Sequence, residues 1–245
     1  MFVKVIFAWL LLVFANFALA GDVVFPGVAI DVSADEGGYS NALKVLVLLT
    51  LLSLAPAMLM MLTSFTRMII VLAMLRHAIG MPTTPPNSVL IAFALFLTLF
   101  TMAPTIDRIN ERVLVPYNEK AITDSDFLDG LKSETKGFLV SQTREKDVAL
   151  ILSLSRKQLP DSVDDLGLST LMPAFMLSEL QTAFKIGFII FLPFLVVDLI
   201  VASVLMSMGM IMLPPMTISL PIKILMFVLI EGWALVAQAL VGSYI

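Results

Sequence analysis

Long apolar segments constrain this chain more than any other feature of its sequence. Each approaches the roughly 20 residues that an α-helix needs to cross the hydrocarbon core of a bilayer. Four such segments follow the N-terminal region: 43–62, 89–106, 186–213 and 218–241. No strand-type alternation of useful length accompanies them. The sequence therefore predicts an all-α membrane protein, in which two hydrophobic helical hairpins flank a polar helical region.

Prolines and glycines divide the apolar segments into pairs. The stretch 80–87 contains Gly80, three prolines and Asn87, so it ends one helix, and Asn87 or Ser88 can cap the next. Two successive prolines at 214–215 cannot continue a helix and mark a second connection. We expect a first hairpin over 43–106 and a second hairpin over 186–245.

The N-terminal region has the pattern of a secretory signal peptide. Lys4 gives a short positive region, an apolar stretch follows, and an A-x-A site ends at Ala20 before Gly21. We expect cleavage between Ala20 and Gly21, which leaves 21–42 as an exposed segment. An uncleaved first transmembrane helix is the alternative.

The polar region 107–185 carries both charge signs and helical patterns. The sequence T-D-S-D at 123–126 resembles a capping box, a second helical run covers 144–156, and Ser169 or Thr170 can cap a third helix. Arg67 and Arg76 are the charges that we assign to the short connection of the first hairpin, and positive connections prefer the cytoplasm. The region 107–185 is then periplasmic.

Several classes of function are disfavoured by composition. Hydrophobic residues make up 59% of the 245 residues and the formal net charge is -4, so no basic surface for nucleic acid is available. The chain has no cysteine and one histidine, and the common hydrolase, nucleotide and metalloprotease motifs are missing. We expect no enzymatic activity, no metal site and no cofactor.

Three charged residues within the apolar segments are candidates for function, because charge in lipid is costly unless it is paired or hydrated. They are Asp198, Lys223 and Glu231. For a hairpin that turns at 214–215, Asp198 and Glu231 each lie 16 residues from the turn and Lys223 lies 8. Lys223 is therefore offset from both carboxylates by about 12 Å along the hairpin axis. We expect partners on another subunit or another helix, and hence an oligomer.

Methionines cluster before the second connection. Met206, Met208, Met210 and Met212 alternate around Gly209. In a helix this spacing distributes them over several faces, whereas in an unwound loop it turns them to one side. A ring of flexible, polarizable side chains of this kind could close around a passage. The competing interpretation is that these methionines have no special role and only face lipid, since the chain is rich in methionine.

These segments also carry a resemblance to a known family. The sequence at 64–76, followed by P-P-N at 85–87, A-L-F-L-T at 94–98 and M-G-M-I-M-L-P-P at 208–215, resembles the FliP family of the flagellar type III export gate. The resemblance implies a pore-forming subunit in the inner membrane, at the flagellar basal body, that passes unfolded flagellar subunits. An equivalent subunit of a virulence secretion system and a small-solute or ion transporter are the alternatives.

The family's assembly and channel residues follow from the same resemblance. It implies a homopentamer that assembles with FliQ and FliR, next to FlhB and FlhA. The channel gasket would fall on Met210, Ile211 and Met212, with Met206 and Met208 as neighbours. Ile211 departs from the family's usual run of three methionines.

Overall fold

The computed structural model describes residues 24–25, 28–29, 45–50, 52–54, 60–155, 166–210 and 213–244. The expected signal peptide and its cleavage position, most of 21–42, and the gasket candidates Ile211 and Met212 lie outside these residues. The described chain is predominantly helical, as the sequence predicts. The exception is a pair of two-residue antiparallel strands, β1 (Val24–Phe25) and β2 (Val28–Ala29).

Eight α-helices have fully described bounds. They are α1 (Phe65–Ile79), α2 (Asn87–Ile109), α3 (Val115–Asn118), α4 (Asp124–Gln142), α5 (Glu145–Leu154), α6 (Leu168–Ser207), α7 (Met216–Leu229) and α8 (Gly232–Gly242). A π-helical segment, Asn110–Leu114, joins α2 to α3. Helical residues also occur at 45–50, 52–54 and 60–62.

The described residues belong to two compact units. One comprises residues from 1–56 and 109–132, and the other comprises residues from 57–108 and 133–245. In the first unit, Tyr117 and Phe127 pack with ring centroids 4.6 Å apart. The start of α4 is fixed by the predicted capping box: Thr123 N–H donates to Asp126 Oδ2 at 3.1 Å, and Asp126 N–H donates to Thr123 Oγ1 at 3.4 Å.

In the second unit, α1 ends at Gly80 as the sequence predicts, whereas the cap expected at Asn87 or Ser88 is wrong, because α2 already begins at Asn87. Gly80 ends α1 in the left-handed conformation, with φ of 93°. Its N–H donates to His77 O, and Met81 N–H donates to Arg76 O, which is the Schellman pattern. Arg76 Nη1 donates to Pro85 O and, at 2.8 Å, to Asn87 Oδ1. The Asn87 side chain therefore fixes the connection to α1.

The second predicted hairpin differs from expectation in both arms. Its first arm belongs to the 40-residue helix α6, so the expected boundary between residues 185 and 186 falls inside one helix. Gly167, without a side-chain cap, precedes α6, so the caps expected at Ser169 or Thr170 are wrong. The second arm is two helices, α7 and α8, bent by 64° where Glu231 has φ of 51°.

Of the described helices, two are long and apolar enough to cross a membrane. They are the continuous helical stretch Asn87–Asn118 and α6, and the bent pair α7 and α8 is a third if it counts as one span. The sequence predicts four segments. The remaining one, 43–62, is apolar and helical where it is described but lies partly outside the described residues.

The main core of the second unit forms around α1. Met68, Val71, Leu72 and Leu75 are fully buried there. The axes of α1 and α6 approach closely at Gly187, where an added Cβ would lie 2.3 Å from Met74 Sδ. Only glycine allows this approach without a shift of the neighbouring side chain. Burial on this scale favours a helix packed against protein over one surrounded by lipid.

Candidate functional site

The methionine-rich turn begins where α6 ends. Gly209 has φ of 75°, Met210 N–H donates to Leu205 O, and Gly209 N–H donates to Met206 O, both at 3.0 Å. This repeats the Schellman geometry of Gly80. Met206 is thus helical, whereas Met208 and Met210 follow the last turn of the helix. Met206 and Met208 are 62% and 66% exposed, so their thioethers are available for contact.

Asp198 and Lys223 form an ion pair across α6 and α7. Lys223 Nζ lies 2.5 Å from Asp198 Oδ2 and donates to Ala78 O at 3.4 Å. The expectation that Lys223 could not reach Asp198 within the hairpin is wrong. Because α6 ends at Ser207 and α7 begins at Met216, Asp198 lies nine residues before the end of α6 and Lys223 lies seven after the start of α7. The axial offset shrinks to about 3 Å.

Glu231 lies elsewhere. It is exposed at the elbow between α7 and α8, where its backbone takes the left-handed conformation. Asp198 and Glu231 each lie 16 residues from the turn, so a straight hairpin would place them at the same height along its axis. That expectation assumed a straight helix over 218–241, and the bend between α7 and α8 shows that the helix is not straight. The three predicted charges therefore divide into one partly buried ion pair and one exposed residue.

A second buried ion pair was not predicted. Arg67 donates from Nε to Glu179 Oε2 at 2.8 Å and from Nη2 to Oε1 at 2.5 Å, so the pair is bidentate. The side chains of Arg67 and Glu179 are 3% and 0% exposed. The Tyr244 hydroxyl donates to Glu179 Oε2, and the Tyr244 ring lies 3.6 Å from Arg67 Cζ. Arg67 Nη1 also donates to the backbone and side-chain oxygens of Ser243 at 3.0 Å.

The sequence did contain a signal for this pair. Arg67 is the only charged residue in the run 45–75, and Glu179 is the only one in the run 166–184. Single charges of opposite sign in two apolar helices require partners. Assigning Arg67 to the exposed connection of the first hairpin was wrong, because it is buried in α1. Arg76 alone remains at that connection.

A third network joins α5 to α6. Asp147 is 2% exposed and accepts from Ser178 Oγ at 2.6 Å and from Arg144 Nε at 2.9 Å. Ser178 Oγ accepts from the N–H of Arg144 at 3.1 Å. Within the described ranges, no group of three or more His, Cys, Asp or Glu side chains could hold a metal ion. The buried charges are therefore arranged to join helices, each with partners of opposite charge or with hydroxyl groups.

Comparison with known proteins connects these features to one family. The FliP family model matches residues 48–240. The flagellar biosynthetic protein FliP of Bacillus subtilis (strain 168) is 48% identical over 212 residues, which are 86% of this chain and 96% of the relative. The FliP of Aquifex aeolicus (strain VF5) is 48% identical over 217 residues, covering 88% and 91% of the two chains. That of Rhizobium meliloti (strain 1021) is 43% identical over 229 residues, covering 93% and 94%.

Proposed function

The chain belongs to the FliP family, and on that premise we propose that it is a pore-forming core subunit of the flagellar type III export gate. Its role in flagellar protein export is to conduct unfolded flagellar subunits across the inner membrane at the basal body. It does this without a catalytic step of its own. The observation that carries the proposal is the family match over 48–240, which includes every helix from α1 to α7 and most of α8.

The two ion pairs between helices support a subunit of an assembly. Arg67–Glu179 and Asp198–Lys223 lie in apolar helices, where charge is tolerated only against protein or water. Their partners are internal to the chain, so the apolar side chains that remain exposed on α2 and α6 are free for lipid and for other subunits. The assembly we propose is a homopentamer with FliQ and FliR, adjacent to FlhB and FlhA.

The channel gasket is proposed at Met210, Ile211 and Met212, flanked by Met206 and Met208. Exposure of Met206 and Met208 and the end of α6 at Ser207 support a flexible apolar constriction at this turn. The mature N-terminus and the region 107–185 are proposed to be periplasmic. The relatives are flagellar biosynthetic proteins, which favours a flagellar over a virulence apparatus.

A deletion strain tests the proposed function. Loss of the gene should abolish motility and the export of hook and filament proteins, while their synthesis in the cytoplasm continues. Restoration by the wild-type chain is the control. Normal flagella in the deletion strain would refute the proposal.

Crosslinking tests the gasket, since the chain has no cysteine of its own. Single variants Met210→Cys, Ile211→Cys and Met212→Cys should form adducts with an export substrate stalled in the channel. Ser141→Cys, at an exposed position in α4, is the matched control. Absence of an adduct at all three positions would remove the gasket assignment.

A further inference from the structure

The turn that follows α8 contacts the unpredicted ion pair. Ser243 accepts two hydrogen bonds from Arg67 Nη1, one through its carbonyl and one through its hydroxyl. Tyr244 covers the Arg67 guanidinium with its ring and donates its hydroxyl proton to Glu179. Tyr244 also packs against both hydrophobic clusters of the second unit. Two adjacent residues thus hold the end of α8 by charge, by ring contact and by apolar burial.

The other end of α8 is an unusual elbow. Glu231 has φ of 51° and ψ of 45°, a conformation that is costly for residues with a Cβ. Gly232 then packs against Phe227 so closely that an added Cβ would lie 2.1 Å from its ring. The rings of Phe227 and Trp233 meet edge to face at 5.4 Å. The bend therefore combines an unfavourable backbone conformation with close aromatic packing.

A straight alternative to this bend is available to the sequence. The residues 216–242 are mostly apolar. Taken together, α7 and α8 are long and apolar enough to cross a membrane, whereas neither helix is long enough alone. As one helix of 27 residues they would extend about 40 Å. Straightening would remove the left-handed residue and restore helical hydrogen bonds across the elbow. Some other contact must therefore maintain the bend.

We propose that Ser243 and Tyr244 form a latch on the buried Arg67–Glu179 pair, and that the latch holds α8 in the shared core and keeps the α7–α8 pair bent at Glu231. Release of the latch allows α7 and α8 to join into one helix. Charge-assisted hydrogen bonds and the burial of Leu240 and Val236 stabilise the bent form. Relief of the left-handed conformation at Glu231 stabilises the straight form. Opposed contributions of this kind give a two-state element.

Cysteine accessibility measures the position of α8 in the intact chain. Leu240 is fully buried in α8, and Leu75 is fully buried in α1, which does not move in the proposed change. Leu240→Cys and Leu75→Cys are each labelled with a membrane-permeable maleimide in native membranes. Tyr244→Phe removes only the hydroxyl and keeps the ring over Arg67. It should raise the labelling rate of the Leu240→Cys variant about fivefold, the ratio that about 1 kcal/mol gives, and leave that of Leu75→Cys unchanged.

Two further substitutions make the test specific. Glu231→Gly lowers the backbone cost of the bend, because glycine adopts the left-handed conformation readily. In the Tyr244→Phe background it should return the labelling of Leu240→Cys to the parental rate. Tyr117→Phe is the matched control, since the Tyr117 hydroxyl also donates to a carboxylate, that of Asp124, but far along the chain from α8.

Three results would overturn the latch. One is unchanged labelling of Leu240→Cys in Tyr244→Phe. Another is an equal rise in the labelling rates of Leu240→Cys and Leu75→Cys when Tyr244→Phe is added, which would indicate general loosening of the core. The third is failure of Glu231→Gly to restore protection, which would disconnect the elbow from the turn. Trp233 is the tryptophan that remains after the expected cleavage at Ala20, so its emission gives an independent report on the elbow, because a change in its contact with Phe227 shifts the spectrum.

Discussion

The two ion pairs in the helical core of the second unit join similar elements, yet they differ in construction. Arg67–Glu179 is bidentate, both side chains are at most 3% exposed, and Tyr244 and Ser243 complete its hydrogen bonding. Lys223 contacts Asp198 through one carboxylate oxygen only, Oδ2. The Asp198 side chain is 35% exposed, and its buried Oδ1 lacks a hydrogen-bond partner of standard geometry.

The difference indicates two kinds of task. A planar guanidinium with a fully satisfied carboxylate fixes one arrangement of its helices, because any displacement breaks several bonds at once. A lysine is a point charge on a flexible stem, so it tolerates small shifts of its partner. We infer that the first pair is a rigid joint between α1 and α6, whereas the second allows α6 and α7 to adjust.

The largest effect should come from removing the cation of the rigid joint. Arg67→Ala leaves Glu179 buried without a counter-charge, and such losses cost about 3–5 kcal/mol. The unfolding temperature of the purified chain in detergent should be much lower than that of the wild type, or the variant should fail to accumulate in membranes. Arg67→Lys keeps the charge but loses the bidentate geometry. Its unfolding temperature should lie between those of the wild type and Arg67→Ala. An Arg67→Ala variant as stable as the wild type would remove the distinction between the pairs.

The next effect tests the helix approach on which the rigid joint depends. Gly187→Ala places a Cβ 2.3 Å from Met74 Sδ, and overpacking of a close-packed core costs about 1–3 kcal/mol. Met74→Ala in the same chain should recover part of that loss. Gly137→Ala in α4 is the control, because nothing lies within 4 Å of its added Cβ, and it should be neutral or stabilising. Equal unfolding temperatures for Gly187→Ala and wild type would contradict the close approach.

The adjustable pair should be less sensitive. Asp198→Asn keeps the shape of the side chain and an amide oxygen that can accept from Lys223, as Ala78 O also does, but it removes the negative charge that balances the Lys223 ammonium. The partly exposed position allows water to solvate the change, so we expect a loss of about 2 kcal/mol. The measurement is the same thermal unfolding experiment, with Arg67→Ala beside it. A loss as large as that of Arg67→Ala would mean that both pairs are rigid.

The comparison also separates what local sequence pattern predicts from what it does not. The connection at Gly80 and the capping box at Thr123 depend on residues within a few positions of each other, so both were predictable. Arg67 and Glu179 lie 112 residues apart, and no periodicity relates them. The burial of Arg67 in α1 depends on the approach of α6, which only the folded chain defines.

The elbow was missed for a different reason. The segment 218–241 is predominantly apolar and contains no glycine before Gly232, so a single helix was the natural prediction. Glutamate is not a residue that favours the left-handed conformation. At the bend, Gly232 packs against Phe227, and Trp233 packs against Phe93 and Phe227, contacts that the apolar pattern does not reveal. Lys223 could be matched to Asp198 only once the true ends of α6 and α7 were known.

The smallest effect belongs to an exposed carboxylate, which gives the baseline for the two ion pairs compared above. Hydrogen bonds from the Thr123 hydroxyl and then from the Thr123 N–H hold the pKa of Asp126 below its ordinary value. Because the folded-state pKa is lowered, this contribution is present above the ordinary pKa and is lost as pH falls through the lowered one. Thr123→Ala should therefore speed amide exchange at the start of α4 near neutral pH, and its difference from wild type should vanish in acid. Ser133→Ala in the same helix serves as the control. A difference that persists below both pKa values would show that the helix start is fixed by something other than the Asp126 carboxylate.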